Sequence, residues 1–367
     1  WVFDDYRIQP ENGNLPQRIF GLPLALSAER YRVPSTDAEA WRTSAQWTLA
    51  RAFFFGEGND FASMLRRGRA LAAAIGAGIA LLVYVWSRHL FGREGAALSL
   101  LLAVFSPNLL AHGPLMTSDA MLTLSLGAAL ACLWSAFHRL TPCSVLGGGL
   151  ACGLLFVSKF SAVFFAPMAL LLLALRIAVG RALRVRCWRG WRRIESRGRQ
   201  LAVLAAVLGI HAVLVWGVIW ASYGFRYGAF GPVGPADSRL MESWESLLDE
   251  PGPATSLVRA ARERHLLPEA YLYGAAFARE HGRARFAFLN GEFGVTGWWY
   301  FFPCAFALKT PLALFVLLAL AAAALGGRGR LGPDDGATGG RACGFYAAAP
   351  LWVLLAVYGL LSLTAKV

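Results

Sequence analysis

The chain has 367 residues, of which 57% are hydrophobic and only 16% charged, with a mean hydropathy of +0.49. Soluble domains carry about 25% charged residues, so a soluble globular fold is excluded and a polytopic membrane protein is indicated. The net charge of +13, from 35 Lys and Arg against 22 Asp and Glu, points to anionic lipid headgroups as a partner.

The predicted fold class is all-α, a polytopic transmembrane helical bundle with outward-facing juxtamembrane helices. Residues 1–69 read as a first outer loop rather than a span, being charged, rich in Trp and Phe and broken by Pro10, Pro16, Pro23 and Pro34. Trp41, Trp47, Phe53, Phe54 and Phe55 among arginines suggest short helices at the bilayer surface, where amphipathic rings settle. About eight spans follow, near 70–91, 96–111, 120–137, 144–158, 161–180, 201–222, 299–325 and 344–363. Residues 70–222 thus form transmembrane helices with short outer turns, 223–298 a second large outer loop, and 299–367 further helices. That second loop is long for a structureless connection and is expected to hold helices of its own. The sequence starts at Trp1 without Met and stops at Val367 just past an apolar run, which reads as an internal fragment of a longer protein.

Orientation follows from arginine. The stretch from Arg176 to Gln200 holds nine Arg and one Glu, and the positive-inside rule places that side in the cytoplasm. The first segment, the turn from His112 to Asp119, Lys159 and the second large loop then face outward. No fold around the Arg-rich stretch suggests nucleic-acid binding, and none is expected. The six Cys are scattered without a CxxC pair and read as packing residues rather than a disulfide frame or metal cluster.

The chemistry concentrates in AHGPLMTSDAMLT, residues 111–123. A stray Asp in hydrocarbon costs about 2.5–3.5 kcal/mol on insertion scales, so Asp119 belongs at a wet mouth or inside a protein cavity. Thr117 and Ser118 are candidates for capping the helix that follows. Lys159 and Lys309 lie amid apolar neighbours, where a lysine either snorkels to headgroups or pairs with an anion. Cations opposite carboxylates at such a mouth suit a ligand that is both phosphorylated and greasy. Lys meets a phosphate as a point charge, and a nearby carboxylate suits a general base acting on a hydroxyl acceptor.

Two stretches, LFGREGAALSLLLAVFSPNLLAHGPLMTSDAMLT and GLLFVSKFSAVFFAPMALLLL, resemble the bacterial membrane glycosyltransferases of family 39. These are relatives of protein O-mannosyltransferases and of the lipid A aminoarabinose transferase, with the GT-C fold. FDDYRIQPENGNLPQRIFGLPLAL is similar to their first outer loop, and FLNGEFGVTGWWYFFPCAFALKTPLALF to a later segment. The resemblance implies transfer of a hexosyl or pentosyl unit from a polyprenyl-phosphate carrier to a protein, lipid or glycan acceptor. The reaction would run at the outer face of a bacterial inner membrane. It implies Asp5 and Asp119 as catalytic carboxylates, and Arg7, Glu11, His112, Lys159, Asn290, Glu292, Trp298 and Lys309 as substrate contacts. No metal ligand set and no cofactor is called for, and a divalent metal stays open. The chain departs from the family at Asn12, where relatives carry His, and at Gln17 and Arg18, near which they carry Lys. The Asp-Glu pair that relatives carry before this loop would fall upstream of Trp1, so the principal base is expected there and the fragment alone is expected to be inactive. The rival reading is a non-enzymatic lipid or small-molecule transporter. Transporters tend to show internal repeats, and none is found here.

Overall fold

The computed structural model describes residues 3–27, 31–188, 190–283, 286–295, 297–328 and 346–364. Among them the architecture is mostly helical and that of an integral membrane protein. Four helices are long and apolar enough to cross a bilayer: α2 (Phe61–Val104), α3 (Ser118–Ala136), Phe160–Val179, whose α-helical part is α5 (Phe165–Val179), and α6 (Arg197–Ser222). The pair α9 (Phe301–Lys309) and α10 (Leu312–Arg328), bent by 100°, makes a fifth if counted as one span. Shorter apolar helices are α4 (Pro142–Ser158) and α11 (Ala349–Thr364). The remaining labelled elements are α1 (Leu15–Ala25), α7 (Pro253–Glu263), α8 (Glu269–Glu280), and the strands β1 (Arg139–Leu140), β2 (Leu183–Cys187), β3 (Gly190–Ile194), β4 (Ala287–Leu289) and β5 (Glu292–Gly294).

The eight predicted stretches largely map onto these helices, with α2 running through two of them. Its 44 residues are broken at Gly92, whose φ of 77° and ψ of −167° leave the helical region. At 1.5 Å per residue, the stretch before the break is about 46 Å long, more than one hydrocarbon core, and the stretch after it about 18 Å, less than one. The start of the last predicted span lies outside the described residues.

The chain forms two compact units, Trp1–Leu82 with His112–Arg283, and Val83–Ala111 with Ala284–Val367. In the first, α4 packs between α3 and α6. Its start is set by a reciprocal box: Ser144 N–H donates to Thr141 Oγ1 at 3.0 Å and Thr141 N–H to Ser144 Oγ at 2.9 Å. Its glycines let α6 approach closely. A Cβ on Gly149 would lie 2.2 Å from Leu214 Cδ1, and one on Gly153 2.6 Å from Val218 Cγ2. Small residues serve helix contacts this way in membranes, where apolar burial alone gives no drive. Gly153→Ala is therefore expected to destabilise the bundle by about 1–3 kcal/mol, the range for overpacking against a stiff neighbour. Thermal unfolding in detergent measures it, and an unchanged midpoint would show that α6 shifts without cost.

The Arg-rich stretch contains strands that helical periodicity did not suggest. β2 and β3 form an antiparallel hairpin, and β1 joins β2 in parallel. Arg176 belongs to α5 rather than to the loop. It is fully buried, donating Nε–H to the Phe137 carbonyl at 2.9 Å and Nη1–H to Gln200 Oε1 at 3.1 Å.

Among its described residues the second loop holds the helices Trp244–Leu247, α7 and α8. The sequence pattern places α8 on the surface, but Tyr271, Leu272, Tyr273, Ala276 and Phe277 are buried, because α8 is shared by two apolar clusters. In the first loop Trp47 (76% exposed) and Phe55 (67%) stay at the surface as expected, while Trp41 (6%) turns inward.

The second unit includes the hairpin β4–β5, α9, α10 and α11. Asn290 and Gly291 form its two-residue turn with φ of 52° and 91°, the positive values for which Asn-Gly is the favoured pair.

Candidate active site

In the first unit the ends of α3, α4 and α6 converge under the first outer segment. Lys159 follows α4 in extended backbone, φ −158° and ψ 144°, and Asp119 lies in the first turn of α3. Lys159 Nζ–H donates to Asp119 Oδ1 at 2.6 Å, with the carboxylate 61% and the lysine side chain 33% exposed. The lysine thus pairs with an anion, and the helix N-terminus adds a favourable field for that charge.

Thr117 holds the capping position of α3 without using its hydroxyl as a cap, and Ser118 is turned elsewhere. Ser118 Oγ–H donates to Asn12 Oδ1 at 2.7 Å, tying the helix start to the outer segment. The next residues are seated as firmly. A Cβ on Gly13 would lie 2.1 Å from the Val157 carbonyl oxygen, and Asn14 Nδ2–H donates to the Ser222 carbonyl at 2.5 Å. Only glycine lets the segment lie this close to the end of α4. On the other side, the Pro10 carbonyl and the Phe160 ring approach Gly274 of α8, where a Cβ would meet both at 2.6 Å.

Above this floor lies an open cleft lined by Asp4, Asp5, Tyr6, Gln9, Asn12 and Arg18, among others. Asp5 is locked in place: Arg7 Nε–H reaches both its oxygens at 3.1 Å, and Gly231 N–H donates to Oδ2 at 3.0 Å. Its side chain is 3% exposed and that of Arg7 1%. The Arg7 guanidinium stacks between Trp41 (5.1 Å) and Phe230 (5.0 Å). Glu11 accepts from Gln46 Nε2–H at 3.0 Å.

Asp4 is more open. Tyr6 O–H donates to Asp4 Oδ1 at 2.6 Å, Arg18 Nη2 lies 3.7 Å from that oxygen, and Arg226 Nη1 reaches Oδ2 at 3.4 Å. Arg18 and Arg226 lie over the two faces or edges of the Tyr6 ring at 5.1 and 5.0 Å. Burial, then the bond to Asp4, push the Tyr6 hydroxyl above its ordinary pKa, against the pull of both arginines. Tyr6 therefore stays a neutral donor at physiological pH.

The sequence-nominated residues are thus only partly assembled. Asp5, Arg7, Glu11, Asp119 and Lys159 belong to the first unit around this mouth. His112 ends the helix Pro107–His112 and is exposed; among the described residues no hydrogen bond or ion pair joins it to Asp119. Asn290, Glu292, Trp298 and Lys309 belong to the second unit. There Asn290 makes the hairpin turn, Glu292 opens β5, the Trp298 ring packs by Gly294 and Lys309 ends α9. Tyr6 and Arg226 were not singled out from sequence. Arg226 reaches Asp4 across 222 positions, and no local spacing marks such a partner. Among the described residues no cluster of three or more His, Cys, Asp or Glu is arranged to hold a metal ion.

A charged, solvent-exposed mouth at the ends of apolar helices is the site of a membrane protein. Residues 61–216 match the family model of dolichyl-phosphate-mannose-protein mannosyltransferases. The match supports a glycosyltransferase family of the GT-C type, one that works with polyprenyl-phosphate sugar donors. No curated protein and no solved structure matches the chain.

Proposed function

We propose that the chain transfers a sugar from a polyprenyl-phosphate carrier to an acceptor hydroxyl at the outer face of a bacterial inner membrane. The observation that carries this is the Lys159–Asp119 pair at the converging helix ends, inside the segment that matches the family. The carrier phosphate competes with Asp119 for the Lys159 ammonium, since both are anions and the pair is open to solvent. Donor binding thereby releases the carboxylate to accept a hydrogen bond from the acceptor hydroxyl. The acceptor oxygen then bonds to the anomeric carbon, the bond from that carbon to the carrier phosphate breaks, and the hydroxyl proton passes to a carboxylate. The departing phosphate gains negative charge, which Lys159 offsets.

Asp5 and Asp119 are the carboxylates assigned to this site, with Asp119 the one open to the acceptor. Because Asp5 is held by Arg7 and Gly231, its part is to fix the cleft wall unless the substrate displaces Arg7. Arg7, Glu11, His112, Asn290, Glu292, Trp298 and Lys309 are assigned to substrate contacts. The first and second large loops and the helical segments act as separate outer and membrane portions of the chain.

The experiment is mass spectrometry of products after the protein in its natural length, reconstituted in lipid, is given a panel of polyprenyl-phosphate sugars and hydroxyl-bearing protein, lipid and glycan acceptors. Transfer of one sugar with release of polyprenyl phosphate is expected. No product from any pairing, with carrier-dependent flux across the vesicle wall instead, would favour the transporter reading. A companion prediction concerns topology. An impermeant thiol reagent is expected to label cysteines placed at Ser118 and Glu245 and to spare one at Arg192. Labelling at Arg192 in sealed vesicles of native orientation would invert the assignment.

A further inference from the structure

The sheet β1–β2–β3 carries a row of like charges that nothing in its own strands offsets. The register pairs Arg139 with Arg184 across β1 and β2, and Arg184 with Arg193 across β2 and β3. Three arginines therefore stand side by side on adjacent strands, on one face because paired positions share a face. Arg186 and its partner Trp191 continue that face one step along the hairpin. Arg139 and Arg184 both lie over the Trp191 ring, at 5.0 and 5.4 Å. Among the described residues no carboxylate pairs with Arg139, Arg184 or Arg193, and all three are exposed. Like charges directly opposite destabilise a sheet, so the arrangement suits a surface whose counter-charge comes from outside the chain.

The position of the sheet says what supplies it. β1 follows α3, β2 follows α5 and β3 leads into α6, so the sheet lies at the ends of apolar helices. Asp119 stands in the first turn of α3, at the end opposite the sheet; the helix has 19 residues and is about 28 Å long, close to one hydrocarbon thickness. The hairpin tip carries Trp188, fully exposed, and Trp191 is 41% exposed. Tryptophan settles at headgroup level, and arginine forks onto phosphate oxygens in two parallel bonds.

We propose that the row Arg139–Arg184–Arg193, with Trp191, is a binding site for the phosphates of anionic bilayer lipids on the face opposite the Asp119 mouth. The lipid phosphates fill the space between the guanidiniums and relieve their repulsion, while Trp188 and Trp191 rest among the headgroups. The site anchors the bundle end to an anionic leaflet independently of sugar transfer.

The test is native mass spectrometry of the full chain in neutral detergent, titrated with phosphatidylglycerol and, separately, phosphatidylcholine. The unaltered protein is expected to retain phosphatidylglycerol in preference. Arg139→Gln/Arg184→Gln/Arg193→Gln is expected to weaken that retention by roughly 100-fold, at about fivefold per arginine near a charged surface. The equally charge-altered Arg51→Gln/Arg66→Gln/Arg264→Gln is expected to leave it unchanged. In lipid-free detergent the first variant is expected to unfold at no lower temperature than the parent, since it loses a repulsion; this separates lost binding from lost fold. Retention of phosphatidylglycerol at the parent's level by the first variant, or equal retention of both lipids by the parent, would overturn the proposal. So would displacement of the lipid by an equal concentration of inorganic phosphate or a short oligoribonucleotide.

Discussion

Asp119→Asn is expected to lower sugar transfer by at least about 100-fold, the lower end of what a positioned acid or base contributes, and to leave the fold intact. The two effects separate because the pair with Lys159 is half open to water, at 61% and 33% exposure. Such pairs add about 0–1 kcal/mol to stability, so the thermal midpoint is expected to move by no more than about 4 °C. Lys159→Ala is expected to act on the other side of the reaction. Losing a charge-assisted contact of about 1.5–3 kcal/mol weakens donor binding by about 10- to 100-fold. Donor titration with a non-transferable polyprenyl-phosphate sugar, together with single-turnover rates, separates binding from chemistry. Charge exchange, Asp119→Lys with Lys159→Asp, keeps a pair but reverses it, and is expected to stay inactive. Parental turnover in Asp119→Asn would remove the carboxylate from the chemistry. Parental donor affinity in Lys159→Ala would leave the lysine with a role in holding Asp119 only.

Arg7→Ala is expected to destabilise the chain strongly. Asp5 is 3% exposed and Arg7 1%, so removing the guanidinium leaves a buried carboxylate with backbone amides alone as donors, those of residue 7 and Gly231. Breaking a buried pair from one side costs about 3–5 kcal/mol. The ring sandwich of Trp41 and Phe230 collapses with it. Lysine is not expected to rescue, because an ammonium neither reaches both Asp5 oxygens nor stacks flat between two rings. Arg7→Met/Asp5→Asn, which removes both charges at similar volume, is expected to recover most of the loss. Unfolding in detergent, followed by near-ultraviolet circular dichroism of the Trp-rich wall, reads all three variants. Stability in Arg7→Ala equal to the parent would mean that Asp5 finds water or a second donor, and would reopen it as an acceptor-facing base.

These two pairs show how far a reader of the sequence alone can go. Asp119 and Lys159 were legible because each interrupts an apolar run, and a charge in that setting demands a mouth, a cavity or a partner. Sequence places Lys159 as the distant partner of the Asp119 stretch, but their direct ion pair across 40 positions depends on the packing of α3 on α4. Asp5 and Arg7 stand two apart in a charged segment, and nothing in their spacing marks them as buried. Their burial comes from Trp41, Phe230 and Gly231, which arrive from distant segments. The strands of the Arg-rich stretch were missed for a different reason. LRVRC and GWRRI alternate, but charge counting reads composition and ignores register.

The sequence by itself determined the class of the protein, because the transfer of apolar side chains out of water depends on composition and run length, not on tertiary detail. It also determined which charges are costly, and through them the candidate mouth. Only the tertiary structure decided which carboxylate is open and which is locked. Exposure and pairing depend on side chains brought together from positions as far apart as Asp4 and Arg226, or Asn14 and Ser222. The same holds for the arginine row, where a one-residue change of register would scatter Arg139, Arg184 and Arg193 over both faces and dissolve the site.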